Sequence, residues 1–137
     1  MQIQPYLFFD GRCEEALEFY KTSLGAKVES LMRFKESPEP MPPGSVPPGT
    51  GDKILHAHLR IGESVLLASD GHANGKPRFE GFGLALPMAD VGQAKQVFAA
   101  LSEGGTVKIP LAKTFFSPQF GMVADRFGVT WMVMVEP

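Results

Sequence analysis

The sequence predicts an α+β fold made of two βαβββ modules. Two stretches with the same order of apolar runs, helical spacing and glycine stops carry that prediction. Residues 5–34 (PYLFFDGRCEEALEFYKTSLGAKVESLMRF) read as strand, helix, glycine stop and strand, and residues 82–109 (FGLALPMADVGQAKQVFAALSEGGTVKI) repeat the order. Each is followed by two further strand-like runs around a glycine, HLRIGESVLLA in the first half and GMVADRFGVTWMVMV in the second. Modules of this kind cannot bury their apolar faces alone, so the expected arrangement is one domain over 1–137. Module 1 spans about 1–70 and module 2 about 80–137, with helices on the convex side of a cupped mixed sheet.

Along the chain, Ile3 to Phe9 is an apolar, aromatic run suited to a strand, with Pro5 tolerated near its start. Asp10 and Gly11 break it. From Cys13, apolar residues at Ala16, Leu17, Tyr20 and Leu24 fall on one helical face. Glu14, Glu15 and Glu18 place negative charge in the early turns, and Gly25 supplies the stop. Residues 37–51 hold six of the twelve prolines and form a loop excursion, read as a solvated insertion or as a lid or dimer arm near a pocket. From Ile54 to Ile61 the alternation predicts Leu55, Ala57, Leu59 and Ile61 on one face and Ile54, His56, His58 and Arg60 on the other. Gly62-Glu63 turns that strand into Ser64–Ser69. In the second half, Asp90 and Gln93 make a capping pattern ahead of Val91, Ala94, Phe98 and Leu101. Gly104-Gly105 ends that helix, and a closing hairpin runs from Phe120 to Val135 around Asp125 and Gly128, which are read as turn residues.

Composition narrows the function classes. The chain has 137 residues, 44% hydrophobic and 20% charged, with a formal net charge of -2. That balance gives no electrostatic attraction to nucleic acid or to an anionic membrane surface. No apolar run reaches the ~20 residues of a membrane-spanning helix, and no basic-then-apolar leader pattern opens the chain. One cysteine, Cys13, leaves no internal disulfide, which fits a reducing compartment; the expected location is cytoplasmic.

The segments PYLFFDGRCEEALEFYKTSLGA, ILHAHLRIGES, FEGFGLAL and TFFSPQFGMVADRFGVTWMV, spread over nearly the whole chain, resemble the PhnB-like branch of the vicinal oxygen chelate superfamily. That superfamily includes glyoxalase I, extradiol dioxygenases and bleomycin-resistance proteins. The resemblance implies the paired-module fold, a homodimer and a ligand cavity on the concave face. In metal-using relatives one ligand comes from each of four strands, and the matching positions here fall near Gln4, His56, Phe82 and Met132. His56 is a competent ligand. Gln4 is a poor one, Phe82 cannot ligate, and the thioether of Met132 suits soft ions. A complete mononuclear centre is therefore not expected, and the cofactor expectation is none, with a divalent metal at His56 as the alternative.

The candidate cavity residues are Gln4, Tyr6, Phe8, His56, His58, Phe82, Phe116 and Met132, a mostly apolar set with few polar groups. By alternation Gln4, Tyr6 and Phe8 share a face, as do His56, His58 and Arg60, while Trp131 points away from Met132. Cys13 reads as a packing residue and His72 as exposed. The branch also carries a methyltransferase label, but Gly81-Phe82-Gly83 is the nearest thing to a methyl-donor loop and lacks the strand-to-helix setting such a loop needs. The first functional reading is a homodimeric binding protein for a partly aromatic or anionic small molecule. The alternatives are a divalent-metal lyase, isomerase or dioxygenase using His56, and an interaction protein with a filled cavity.

Overall fold

Eight strands and two helices follow one another in the computed structural model, which describes residues 1–137. By its contacts the chain divides into two units, Met1–Arg78 and Phe79–Pro137. The first unit contains β1 (Tyr6–Phe8), α1 (Cys13–Leu24), β2 (Lys27–Arg33), β3 (Ile54–Ile61) and β4 (Ser64–Ser69). The second contains β5 (Leu84–Met88), α2 (Val91–Ser102), β6 (Thr106–Ala112), β7 (Gln119–Ala124) and β8 (Thr130–Val135). Each unit has one four-stranded mixed sheet, ordered β1-β4-β3-β2 in the first and β5-β8-β7-β6 in the second. The predicted α+β class and the repeated βαβββ order are both observed.

In the first unit α1 packs on β3 and β2. Its Cys13, Ala16, Leu17 and Tyr20 are buried, as the helical spacing predicts. Tyr20 meets Phe9 with ring centroids 6.2 Å apart, and both are about 1% exposed. Burial of an aromatic or leucine side chain of this kind contributes about 1.5–3 kcal/mol. The helix ends where Gly25 turns left-handed at φ 67°, and its N–H and that of Ala26 both reach the Tyr20 carbonyl. The glutamates of the early turns are paired outward: Glu14 takes both guanidinium nitrogens of Arg33 at 3.0 and 2.7 Å. Arg33 also donates to the Asp52 carbonyl, so it fastens the foot of the proline-rich excursion to α1.

The alternation of β3 departs from expectation at one end. Met32 pairs with His56 and Arg33 with Ile54, a register shift that inserts an extra residue in β3. Beyond that bulge the side-chain direction is reset. Ile54, expected beside the histidines, is fully buried with Ala57 and Leu59. His56, His58 and Arg60 keep their common face.

The start of α1 is held by a residue that reads in the sequence as part of a turn. Asp70, 1% exposed, follows β4, and its Oδ1 accepts from the backbone N–H of Gly11 and of Cys13, each at 2.8 Å. Its Oδ2 accepts from the N–H of Ile54 at 2.7 Å. One carboxylate thereby ties the end of β4 to the beginnings of α1 and β3. Cys13, beside it, is wholly buried, and burial followed by the Asp70 and Glu14 charges pushes its thiol strongly upward. It is a small packing residue, not a thiolate.

In the second unit α2 packs on β7 and β8 through Ala94, Phe98 and Leu101. The Asp90 carboxylate accepts from the Gln93 N–H at 2.7 Å, and the Gln93 side chain accepts from the Ala89 N–H at 3.1 Å, completing the predicted cap. Asp125 turns the closing hairpin as expected and does more. Its Oδ1 accepts from the N–H groups of Phe127 and Val129, and its Oδ2 from the indole N–H of Trp131 at 2.8 Å. Trp131 is 1% exposed and faces the α2 side, opposite Met132.

Candidate functional site

The face of the first sheet turned away from α1 gathers four of the expected side chains. Tyr6 and Phe8 alternate along β1 with the buried Leu7 between them, so both project to the open side. Their rings stack with centroids 4.9 Å apart and planes inclined by 19°. Tyr6 is 38% and Phe8 50% exposed. Across β4, the Tyr6 hydroxyl lies 2.7 Å from Nδ1 of His56. His58, two residues along β3, meets the His56 ring edge-on at 4.8 Å. The result is an aromatic platform bordered by two imidazoles.

Electrostatics favour the uncharged forms of His56 and Tyr6. Partial burial, and then the neighbouring His58, hold the His56 imidazole below its ordinary pKa. Burial raises the Tyr6 phenol, with a hydrogen bond from Ser69 working the other way and Cys13 adding a small rise. At neutral pH His56 is neutral and Tyr6 protonated. Further along β3, Arg60 donates to Glu29 at 2.8 Å, so its guanidinium is already paired.

A pH effect follows with a defined sign. His56 binds its proton less readily folded than unfolded, so the native state takes up fewer protons than the unfolded chain. Stability is full above the unfolded value of about 6.5 and declines as pH falls through the lower folded value. Urea titrations from pH 8 to pH 5 should show an acid-side loss that shrinks in His56→Gln. An identical acid limb in that variant would contradict it.

The remaining expected residues fall elsewhere. Gln4 lies ahead of β1 and is exposed. Phe82 lies ahead of β5 and is 50% exposed; the strand residue paired with Met132 is Ala85. Met132 belongs to the open face of the second sheet, opposite Met122 on β7, while Met134 stands opposite Phe120. Phe116 joins this apolar face through its edge-on contact with Phe120 at 5.1 Å. His72 is exposed, and its Nδ1 lies 2.9 Å from the Ser45 carbonyl in the proline-rich excursion. The pairing of Tyr6 with His56, and the places of Met122 and Phe120 opposite Met132 and Met134, were not picked out from the sequence. Only alternation along β7 and β8 could have signalled the latter.

The donors do not fit a mononuclear metal centre. His56 has Nδ1 engaged by Tyr6, the Glu29 carboxylate is committed to Arg60, and no three His, Cys, Asp or Glu side chains come together. The face can stack a planar ring and offer it one imidazole N–H or lone pair.

Comparison with known proteins places the chain. The sequence profile of the family described as 3-demethylubiquinone-9 3-methyltransferase matches residues 1–134. The chain belongs to this PhnB-like family. Among curated relatives, protein YjdN of Escherichia coli K12 is 36% identical over 142 residues, covering 98% of this chain and 95% of YjdN. Among solved structures, protein PA1353 of Pseudomonas aeruginosa is 42% identical with a TM-score of 0.86, covering 99% of this chain and 98% of that one. The Bacillus cereus PhnB protein, named a putative 3-demethylubiquinone-9 3-methyltransferase, is 25% identical with a TM-score of 0.81 over 98% and 99% of the two chains. A glyoxylase/bleomycin resistance protein/dioxygenase domain from Frankia, 15% identical with a TM-score of 0.65, covers 99% of this chain and 95% of its own, and shares the fold. The paired-module fold that the sequence resemblance implied is the fold observed. No helix in the PhnB-like chain is long and apolar enough to cross a membrane.

Proposed function

We propose that this PhnB-like protein is a cytoplasmic homodimer that binds a partly aromatic small molecule without transforming it. The observation that supports this reading most is the half-exposed Tyr6–Phe8 stack beside the Tyr6–His56 hydrogen bond. Exposed stacked rings leave apolar area for a third ring to cover, and a site of this kind needs only a few polar groups to orient its ligand. The family description speaks of methyl transfer. Here the junction of β5 with α2 is Ala89-Asp90, without a glycine-rich loop, and Gly81 and Gly83 precede the strand. A methyl donor would find no such cradle there, so binding is favoured over methyl transfer. Edge strands β2 and β6, with Leu31, Met32, Val107 and Ile109 exposed, give a second copy apolar surface to cover.

The test is calorimetric titration of small aromatic molecules into protein purified without chelator. Saturable binding is expected, weakened about three- to ten-fold in Phe8→Ala, the worth of one ring contact. Stoichiometric metal that disappears in His56→Ala would replace this reading with a divalent-metal lyase, isomerase or dioxygenase. A monomeric mass at micromolar concentration would remove the dimer.

A further inference from the structure

We infer that Tyr6 sets the hydrogen-bonding polarity of this face at His56, so that it selects planar aromatic molecules bearing a carbonyl or carboxylate oxygen over those presenting an amino N–H. The inference rests on the proposal that this face takes a small molecule, and adds which one. Tyr6 Oη and His56 Nδ1 are 2.7 Å apart, so a single proton lies between them. A phenol is the stronger acid of the two and a neutral imidazole the stronger base, so the hydroxyl donates and Nδ1 accepts. The neutral ring then carries its hydrogen on Nε2. His56 is left with a donor and no acceptor.

The charged neighbours on β2 and β3 do not reverse this polarity. His58 meets His56 edge-on, Arg60 and Lys27 on the neighbouring stretch are donors, and the Glu29 carboxylate is taken by Arg60. The platform formed by Tyr6 and Phe8 contributes ring faces. A ring lying on that platform is offered the His56 N–H, which pairs with a substituent that accepts. An amino substituent that turned its N–H groups to the same place would leave two donors opposed, with one hydrogen bond to water lost on each side. Tyr6 is a positioning residue in this scheme as well as a contact, because its hydroxyl acts through His56.

Two measurements test this. First, the ring nitrogen shifts of His56 in ¹⁵N-labelled protein are expected to show an unprotonated Nδ1 and a protonated Nε2, and Tyr6→Phe should mix the two tautomers. A protonated Nδ1 in the wild-type protein would overturn the inference. Second, affinities for acetophenone, aniline and toluene are compared. Acetophenone is expected to bind about 3–10-fold more tightly than toluene, the worth of one hydrogen bond, and aniline no more tightly than toluene. In Tyr6→Phe the acetophenone-to-toluene ratio should collapse towards one. If all three bind with no preference, or the ratio survives in Tyr6→Phe, the inference falls while the binding proposal stands. If none binds, toluene included, the binding proposal itself falls, and with it the ligand class named here.

Discussion

Replacing Asp70 by alanine is expected to lower the stability of the first unit by about 3–6 kcal/mol, a large part of the ~5–15 kcal/mol that a domain of ordinary stability has. The carboxylate is 1% exposed and accepts three backbone N–H groups, two of them buried. Alanine removes all three acceptors without removing any donor. Each stranded N–H then costs about 1–3 kcal/mol, with the partly exposed Gly11 N–H at the low end because water can reach it. The N-terminus of α1 also loses the negative charge that faces it. Asp70→Asn should fall between the two, since the amide keeps one accepting oxygen but turns an NH₂ towards an N–H. Denaturant titration of the three proteins checks this: the midpoint should drop with the slope unchanged. An alanine variant within 1 kcal/mol of wild type would refute it.

The second large effect is expected at Gly105. A methyl group there would overlap the Ala124 carbonyl oxygen and lie 3.0 Å from both Cα and the carbonyl carbon of Asp125. These are backbone atoms at the end of β7, and the Asp125 side chain fixes them by three hydrogen bonds. No flexible side chain is available to move aside. Gly105→Ala is expected to cost about 2–4 kcal/mol, at or above the usual range for overpacking. Gly25 offers the comparison: nothing lies within 4 Å of its missing Cβ, so alanine there bears only the left-handed backbone penalty of about 1–2 kcal/mol. Thermal unfolding of both variants would separate steric exclusion from conformational preference. Equal shifts at the two positions would show that the close approach at Gly105 relaxes.

The helices were legible because their signals are local. Ala16, Leu17 and Tyr20 repeat at helical spacing, Gly25 ends that run, and Asp90 with Gln93 caps the next within four residues. The closing hairpin was legible for the same reason, since Asp125 bonds to N–H groups two and four positions away. What escaped depends on partners far along the chain. Asp70 stands in DGHANGKP, where an aspartate before a glycine has the composition of a turn, and its three partners lie 16 to 59 residues earlier. Ile54 was assigned to the wrong face because period-two counting has no means of sensing an inserted residue on a strand. Gln4 and Phe82 were carried over by strand matching, yet β1 starts at Tyr6 and β5 at Leu84. The meeting of Tyr6 with His56 spans 50 residues and an intervening strand. Alternation could place each on an open face but could not bring them to one point.

The parallel pairing of β1 with β4 has a consequence for how the chain is made. Tyr6 aligns with Leu67, so the first strand of this unit to be synthesised must wait for the last strand of the unit before it has a neighbour. β5 and β8 stand in the same relation, Leu84 aligning with Trp131. Closing so long a loop carries its entropic cost before any ladder bond repays it, whereas β3 and β4 zip across a two-residue turn. Birth order and docking order are thus reversed at the amino end of each unit: the segment translated first is the one that locks last, and during synthesis the edge it will cover on β4 or β8 is open to whatever strand arrives.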